Sequence, residues 1–276
     1  MFNLAPTSRY RLDRPPLVRA LTYLNFDLRA AFQTLDGVAA FQAELETTFP
    51  YMEERHEQQI GLLIGPGGIT APPQTASRKS WLFTDDAGWS MTLAPDSALL
   101  AVGSEYETVD DIAARFTEVI RCLSEKGGVK RCTRLGVRYI NVADISDDAG
   151  GDWQSWFRPE MIGWAGTDVA MESLVASVTQ TQLNARPSDD LANMPGPVQG
   201  VIRHGVLPPN AVVPDVQPRP NRCYLLDIDT FVQTHQALLP ATLVEQFGIL
   251  HSQIDRFFRW TLAPNGERRF GLREVA

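Results

Sequence analysis

Two stretches of the chain, Val109–Leu123 and Leu243–Thr261, carry apolar side chains on one helical face only, and such a helix is stable only against something that covers its stripe. In the first, Val109, Ile112, Ala113, Phe116, Val119, Ile120 and Leu123 recur at helical spacing. Thr108, with Asp111 three residues on, makes a capping-box variant ahead of it, and Gly127-Gly128 supplies a left-handed stop. In the second, Leu243, Phe247, Leu250, Ile254, Phe257 and Thr261 form the stripe; Thr242 and Glu245, after Pro240, predict its start and Pro264 its end. Both helices are predicted to run about five to six turns and to need a sheet beneath them.

The rest of the pattern supplies strands. Leu17–Phe26 predicts the first, followed by a helix near residues 37–48 and strands between 54 and 103. Among these, Trp81–Thr84 and Trp89–Leu93 form a hairpin around Asp85-Asp86-Ala87-Gly88, and Ala94-Pro95-Asp96-Ser97 turns the chain into Ala98–Gly103. Gly65-Pro66-Gly67-Gly68 reads as a hairpin loop, because it leads to Pro72-Pro73 and not to a helix that could hold phosphate. The order then repeats: strand Arg131–Val142, a short helix near residues 153–162, strands Met171–Leu183, Gln199–Val206 and Cys223–Thr230, and the second long helix. The proline-rich stretches 186–197 and 207–220 are irregular connections.

Tyr23-Leu24-Asn25-Phe26-Asp27 echoes Tyr139-Ile140-Asn141-Val142-Ala143-Asp144, and Leu99–Gly103 echoes Leu225–Asp229. The expected fold is α+β: a duplicated unit of strand, helix, antiparallel strands and long helix, with halves 1–128 and 129–276 packed as a pseudo-dimer in one globular body. This order resembles helix-grip and saddle-shaped folds, in which a curved antiparallel sheet wraps a long C-terminal helix. Some of those families hold apolar ligands and others grip nucleic acid, so the likeness reaches the architecture alone.

At 276 residues and 44% hydrophobic, the chain can build a sizeable core as one large domain or two intimate halves. No run approaches the roughly 18 apolar residues of a membrane span. Met1–Pro16 lacks the apolar segment and cleavage site of a secretory signal, so a cytoplasmic protein with no membrane partner is expected. Cys122, Cys132 and Cys223 are odd in number and form no CxxC, which predicts reduced, packed thiols. His251 and Asp255 have the spacing of two metal ligands, but no third accompanies them, and no metal or cofactor is expected. His56, in Glu53-Glu54-Arg55-His56-Glu57, belongs to a solvated face. Dinucleotide, P-loop, nucleophile-elbow and zincin motifs are all missing, so no catalytic residue is assigned.

The most distinctive segment is Arg134-Leu135-Gly136-Val137-Arg138-Tyr139-Ile140-Asn141. Strand alternation puts Arg134, Gly136 and Arg138 on one face and Leu135, Val137, Tyr139 and Asn141 on the other. Asp227 and Asp229 likewise share a face of their strand. Two readings follow. Arg134 and Arg138 pair with Asp227 and Asp229 in a cross-strand ladder, or the guanidiniums, with Tyr139 and Asn141, meet an anionic ligand between sheet and long helix.

Net charge is −8, which argues against broad phosphate binding. The chain ends are nevertheless basic. Arg9, Arg11, Arg14, Arg19 and Arg29 face only Asp13 and Asp27 at one end, and Arg256, Arg259, Arg268, Arg269 and Arg273 face Asp255, Glu267 and Glu274 at the other. If the ends meet, they form one basic patch on an acidic body. Arg256-Phe257-Phe258-Arg259-Trp260 also interleaves cations with aromatics, a pattern of single-strand nucleic-acid binders and equally of an amphipathic helix.

The RLGxRYIN strand, the Leu226-Asp227-Ile228-Asp229 strand leading to a helix with Leu250-His251, and Pro15-Pro16-Leu17 resemble a sporadically distributed family of uncharacterised bacterial proteins. The resemblance spans nearly the whole chain, with Val137 where leucine is commoner and Arg19 near a position where an acid is expected. It implies a place in a mobile or defence-linked multi-gene system and no catalytic residues. The expected function is that of a non-enzymatic binding or accessory protein engaging another protein through a sheet face or the basic patch. A small-ligand sensor or enzyme and a local nucleic-acid binder are the alternatives.

Overall fold

In a computed structural model that describes residues 2, 4–57, 63–65, 68–70, 78–106, 108–145, 153–170 and 173–275, the fold is α+β. It has a large antiparallel sheet and, among the described residues, five α-helices. No described helix is long and apolar enough to cross a membrane. The chain forms two compact units. The terminal unit holds Met1–Thr22, Leu135–Thr234 and Thr242–Ala276; the inner unit holds Tyr23–Arg134 and His235–Ala241.

After β1 (Tyr10–Leu12), the chain leaves the terminal unit within β2 (Leu17–Phe26). The inner unit continues with α1 (Leu35–Leu45), β3 (Tyr51–Glu57), the hairpin arms β4 (Leu63–Gly65) and β5 (Gly68–Thr70), β6 (Arg78–Thr84), β7 (Trp89–Ala94), β8 (Ser97–Val102) and α2 (Val109–Glu125). Pro66 and Gly67, in the expected hairpin loop, lie outside the described residues. Its strands follow the hydrogen-bonded order β2-β8-β7-β6-β3. β7 buries Trp89, Met91 and Leu93 and leaves Ser90 and Thr92 half-buried, the alternation of a sheet with one core face. The core is aromatic, with Phe32 against Phe41 at 6.0 Å, Phe41 against Phe83 at 5.8 Å, and the Trp81 indole donating to the Phe32 carbonyl at 2.6 Å.

α2 begins on the expected capping box. The Asp111 N–H donates to Thr108 Oγ1 at 3.3 Å, and the Thr108 N–H donates to Asp111 Oδ2 at 3.2 Å. Gly128, at φ 64°, provides the left-handed exit.

The chain returns to the terminal unit within β9 (Arg131–Asp144), then forms a 3-10 turn at Trp153–Trp156, α3 (Pro159–Ile162), β10 (Ser177–Asn184), β11 (Val198–Leu207) and β12 (Cys223–Val232). β13 (Gln236–Ala237) pairs with β9; α4 (Pro240–Thr261), α5 (Pro264–Phe270) and β14 (Leu272–Glu274) follow. The order here is β10-β11-β12-β9-β2. α4 packs through Leu243, Phe247, Leu250 and Ile254, all buried, and Thr230 donates to the Leu250 carbonyl at 3.2 Å. The two chain ends do meet: β1 and β14 pair antiparallel, Tyr10 opposite Glu274 and Leu12 opposite Leu272.

α4 ends at Thr261, ahead of Pro264 as expected, but other boundaries differ. α4 starts at Pro240, so Thr242 lies inside its first turn and is no cap; Pro needs no N–H partner at that position, and Glu245 instead accepts from Asn193 at 2.7 Å. Pro264 opens α5 for the same reason. Of the strand expected from Met171, residues 171 and 172 lie outside the described residues, and the ladder begins at Ser177, because its partner β11 ends at Leu207 and Pro208 has no N–H to extend it. Ahead of it, Leu174 closes a turn on the Ala170 carbonyl at 2.8 Å. All three cysteines are buried; burial pushes the Cys122 thiol up to about 12 and Cys132 to about 11, keeping both protonated.

Candidate functional site

In the terminal unit, alternation along β11, β12 and β9 brings Arg203, Asp227, Asp229 and Arg138 to one sheet face, with Arg203 directly opposite Asp227 and Asp229 opposite Arg138. Arg138 forks the Asp227 carboxylate, Nε to Oδ1 at 2.8 Å and Nη2 to Oδ2 at 3.0 Å. Arg203 adds a third bond to Oδ2 at 3.0 Å and holds Gln180 of β10 at 2.8 Å. The Asp227 side chain is 1% exposed and Arg138 12%, so this pair is buried, while Arg203 at 35% reaches solvent. The connection after β11 reaches the same face, where Asp215, left-handed at φ 67°, bonds Arg138 Nη1 at 3.0 Å.

Sequence reading identified Arg138 and Asp227 and missed Arg203; the signal for it was a lone arginine in the strand next to a two-aspartate face. The β9–β12 ladder closes at Leu135 opposite Val232, one residue before Arg134, whose guanidinium lies 5.5 Å from the Tyr23 ring. Tyr139 and Asn141 face the other way. The Tyr139 hydroxyl meets His251 Nδ1 of α4 at 3.0 Å, and Asn141 donates to the Leu226 carbonyl at 3.2 Å. Arg138 and Tyr139 therefore do not converge on one ligand. Asp255 accepts from Thr7 at 2.7 Å, apart from the His251 contact.

The expected basic patch is neutralised only in part by its own neighbours. Arg256 pairs with Asp190, Arg259 with Glu267, and Arg268 with the Asn265 side chain. Arg273 pairs with Asp13 at 2.6 Å, and Arg269 stacks over Trp156 at 5.0 Å. Phe257 and Phe258 of the interleaved run are buried, as an amphipathic helix requires.

The feature that sequence reading did not single out is β10. It ends the strand order of its unit, and six of its eight residues are exposed, with no charge among Ser-Val-Thr-Gln-Thr-Gln-Leu-Asn. Just past the ladder, Ala185 donates to the Val198 carbonyl at 2.8 Å, which sets its phase. Thr179, Thr181 and Leu183 turn their N–H and C=O groups toward β11; Val178, Gln180, Gln182 and Asn184 turn theirs outward. No hydrogen bond reaches these outward groups among the described residues. Gly205, at φ 142° opposite Val178, seats the start of the strand, since a Cβ there would lie 1.8 Å from the Ser177 carbonyl. Ahead of β10, Trp164 is 64%, Val169 87% and Val175 70% exposed, and Val178 within it is 50% exposed. Among the described residues no three metal-ligating side chains cluster. In comparison with known proteins, the chain matches no protein-family model and no curated protein.

Proposed function

We propose that the chain is a non-enzymatic binding protein that takes an extended segment of a partner protein along β10 by strand addition. A sheet edge with unpaired backbone groups is a template for another strand, and proteins ordinarily guard such edges with charge, proline or bulges. The observation that carries the reading is the outward backbone of Val178, Gln180, Gln182 and Asn184 on a strand with none of those guards. The exposed Val175 and Val178 favour a segment with an apolar side chain at that end and uncharged polar or β-branched residues opposite Thr179–Gln182. Arg203, fixed by Asp227 and bonded to Gln180, keeps the edge in place for a partner. We also read residues 1–128 and 129–276 as a duplication, since each stretch of chain carries a strand, a short helix, antiparallel strands and a long helix in that order.

The test is selection of displayed random peptides against the chain, with each binder measured on Gln182→Pro. Proline there removes an outward N–H and leaves the β11 ladder whole. Peptides weakened about tenfold or more by Gln182→Pro support strand addition. Peptides that bind both forms equally overturn it, as does a wild-type dimer that Gln182→Pro dissociates, because the edge would then serve a second copy.

A further inference from the structure

A second site lies where the chain ends meet. Beside the β1–β14 ladder, the Arg14 N–H donates to the Phe270 carbonyl at 3.0 Å, setting Arg14 next to the end of α5. A cleft of about 160 Å³ opens there, walled by Pro15, Pro16, Trp156 and Phe270 and lined by Arg14, Arg269 and Asp144. Trp156 and Phe270 are each 5% exposed, so packing holds them in place and each offers the cleft only a small apolar surface.

The arginines at the termini divide into two groups, and Arg268, which bonds the Asn265 side chain, falls with Arg14 and Arg269 in the group that holds no carboxylate among the described residues. Arg256, Arg259 and Arg273 each hold a carboxylate. Arg14 holds only the Arg268 carbonyl, at 3.0 Å, and Arg269 only the Trp156 ring; neither has a carboxylate partner among the described residues. Asp144 already accepts from Asn221 at 3.0 Å. Two guanidiniums against one carboxylate leave a single positive charge beside an apolar wall. That balance fits a monoanion with an apolar body better than a phosphate dianion or a polyanion.

We propose that this cleft binds a small organic monocarboxylate, with its carboxylate shared between Arg14 and Arg269 and its body against Trp156 and Phe270. Benzoate is the probe, titrated into the full chain and followed at the Trp156 indole N–H resonance, with neutral benzamide, inorganic phosphate and a short oligonucleotide as the other arms. The expected result is a saturable shift with benzoate, and binding about tenfold or more weaker for benzamide and phosphate. Arg14→Gln, at an exposed side chain, and Arg269→Gln each weaken benzoate about tenfold. Arg273→Gln, whose partner Asp13 lies outside the cleft lining, leaves it unchanged. Absence of a saturable shift, equal affinity for benzamide, full binding by both cleft variants, or tighter binding of phosphate or the oligonucleotide overturns the proposal.

Discussion

The strand order ends on β3 in the inner unit and on β10 in the terminal unit, and the two strands are built in opposite ways. β3 carries Glu53, Glu54, Arg55 and His56 in succession, tied by Arg55–Glu53 at 2.5 Å, His56–Glu54 at 3.0 Å and Lys79–Glu54 at 2.9 Å. A strand arriving there would have to desolvate charges. β10 offers hydroxyls, amides and two aliphatic side chains at no such cost. The strands beside each edge differ as well. β6 buries Trp81 and Phe83, whereas β11 carries Arg203, which joins Asp227 of β12 and Arg138 of β9 in one ion cluster. A guarded edge can rest on ordinary packing; an edge left open for a partner gains from a neighbour fixed by directional bonds.

The largest expected effect strikes that neighbour. Asp227→Ala leaves Arg138 and Arg203 without their shared carboxylate and should cost about 3–5 kcal/mol in denaturant unfolding. Amide exchange should rise in β10 before it rises in β3. Next comes the phase of β10 itself. Thr181→Pro removes a ladder N–H and should cost about 1–3 kcal/mol, while Gln182→Pro should change stability by about 0.5 kcal/mol or less; equal costs would mean that the outward and inward residues are misassigned. Exchanging the character of the edges should move stability less. Glu54→Thr removes half-exposed ion pairs worth about 1 kcal/mol or less, yet sedimentation should show more self-association once this guard is gone.

The smallest effect is a pH dependence confined to the terminal unit. His204 Nδ1 lies 3.1 Å from the Tyr224 hydroxyl, which itself donates to the Met161 carbonyl at 2.9 Å, so Nδ1 is the donor. Burial holds the His204 pKa below its ordinary value. The folded protein therefore binds this proton less readily than the unfolded chain. Stability from this source is full above about pH 6.5 and declines as pH falls through the folded value. His204→Gln should flatten that part of the stability profile.

Local signals were legible where one short segment decides the outcome. Thr108 and Asp111 announced the start of α2 because both partners of the cap lie within one turn. Thr242 and Glu245 carry the same spelling and form no cap, because Pro240 starts the helix earlier; two valid signals competed and the upstream one won. The Arg138–Asp227 pair could be read from alternation within two strands. Arg203 carried a signal as a lone arginine in its strand, but that it stands beside Asp227, like the openness of β10, depends on which strands become neighbours, a property of the whole chain. The meeting of the termini was legible only as a charge pattern, and β1 and β14 are too short to announce their pairing.

Amide hydrogen exchange on the free chain tests the open edge most directly. Val178, Gln180, Gln182 and Asn184 should exchange close to the rate of unprotected amides while Thr179, Thr181 and Leu183 are held back, and a bound peptide should slow the first set alone. Equal protection of both sets in the free protein would contradict an open edge, and with it the proposed mode of binding.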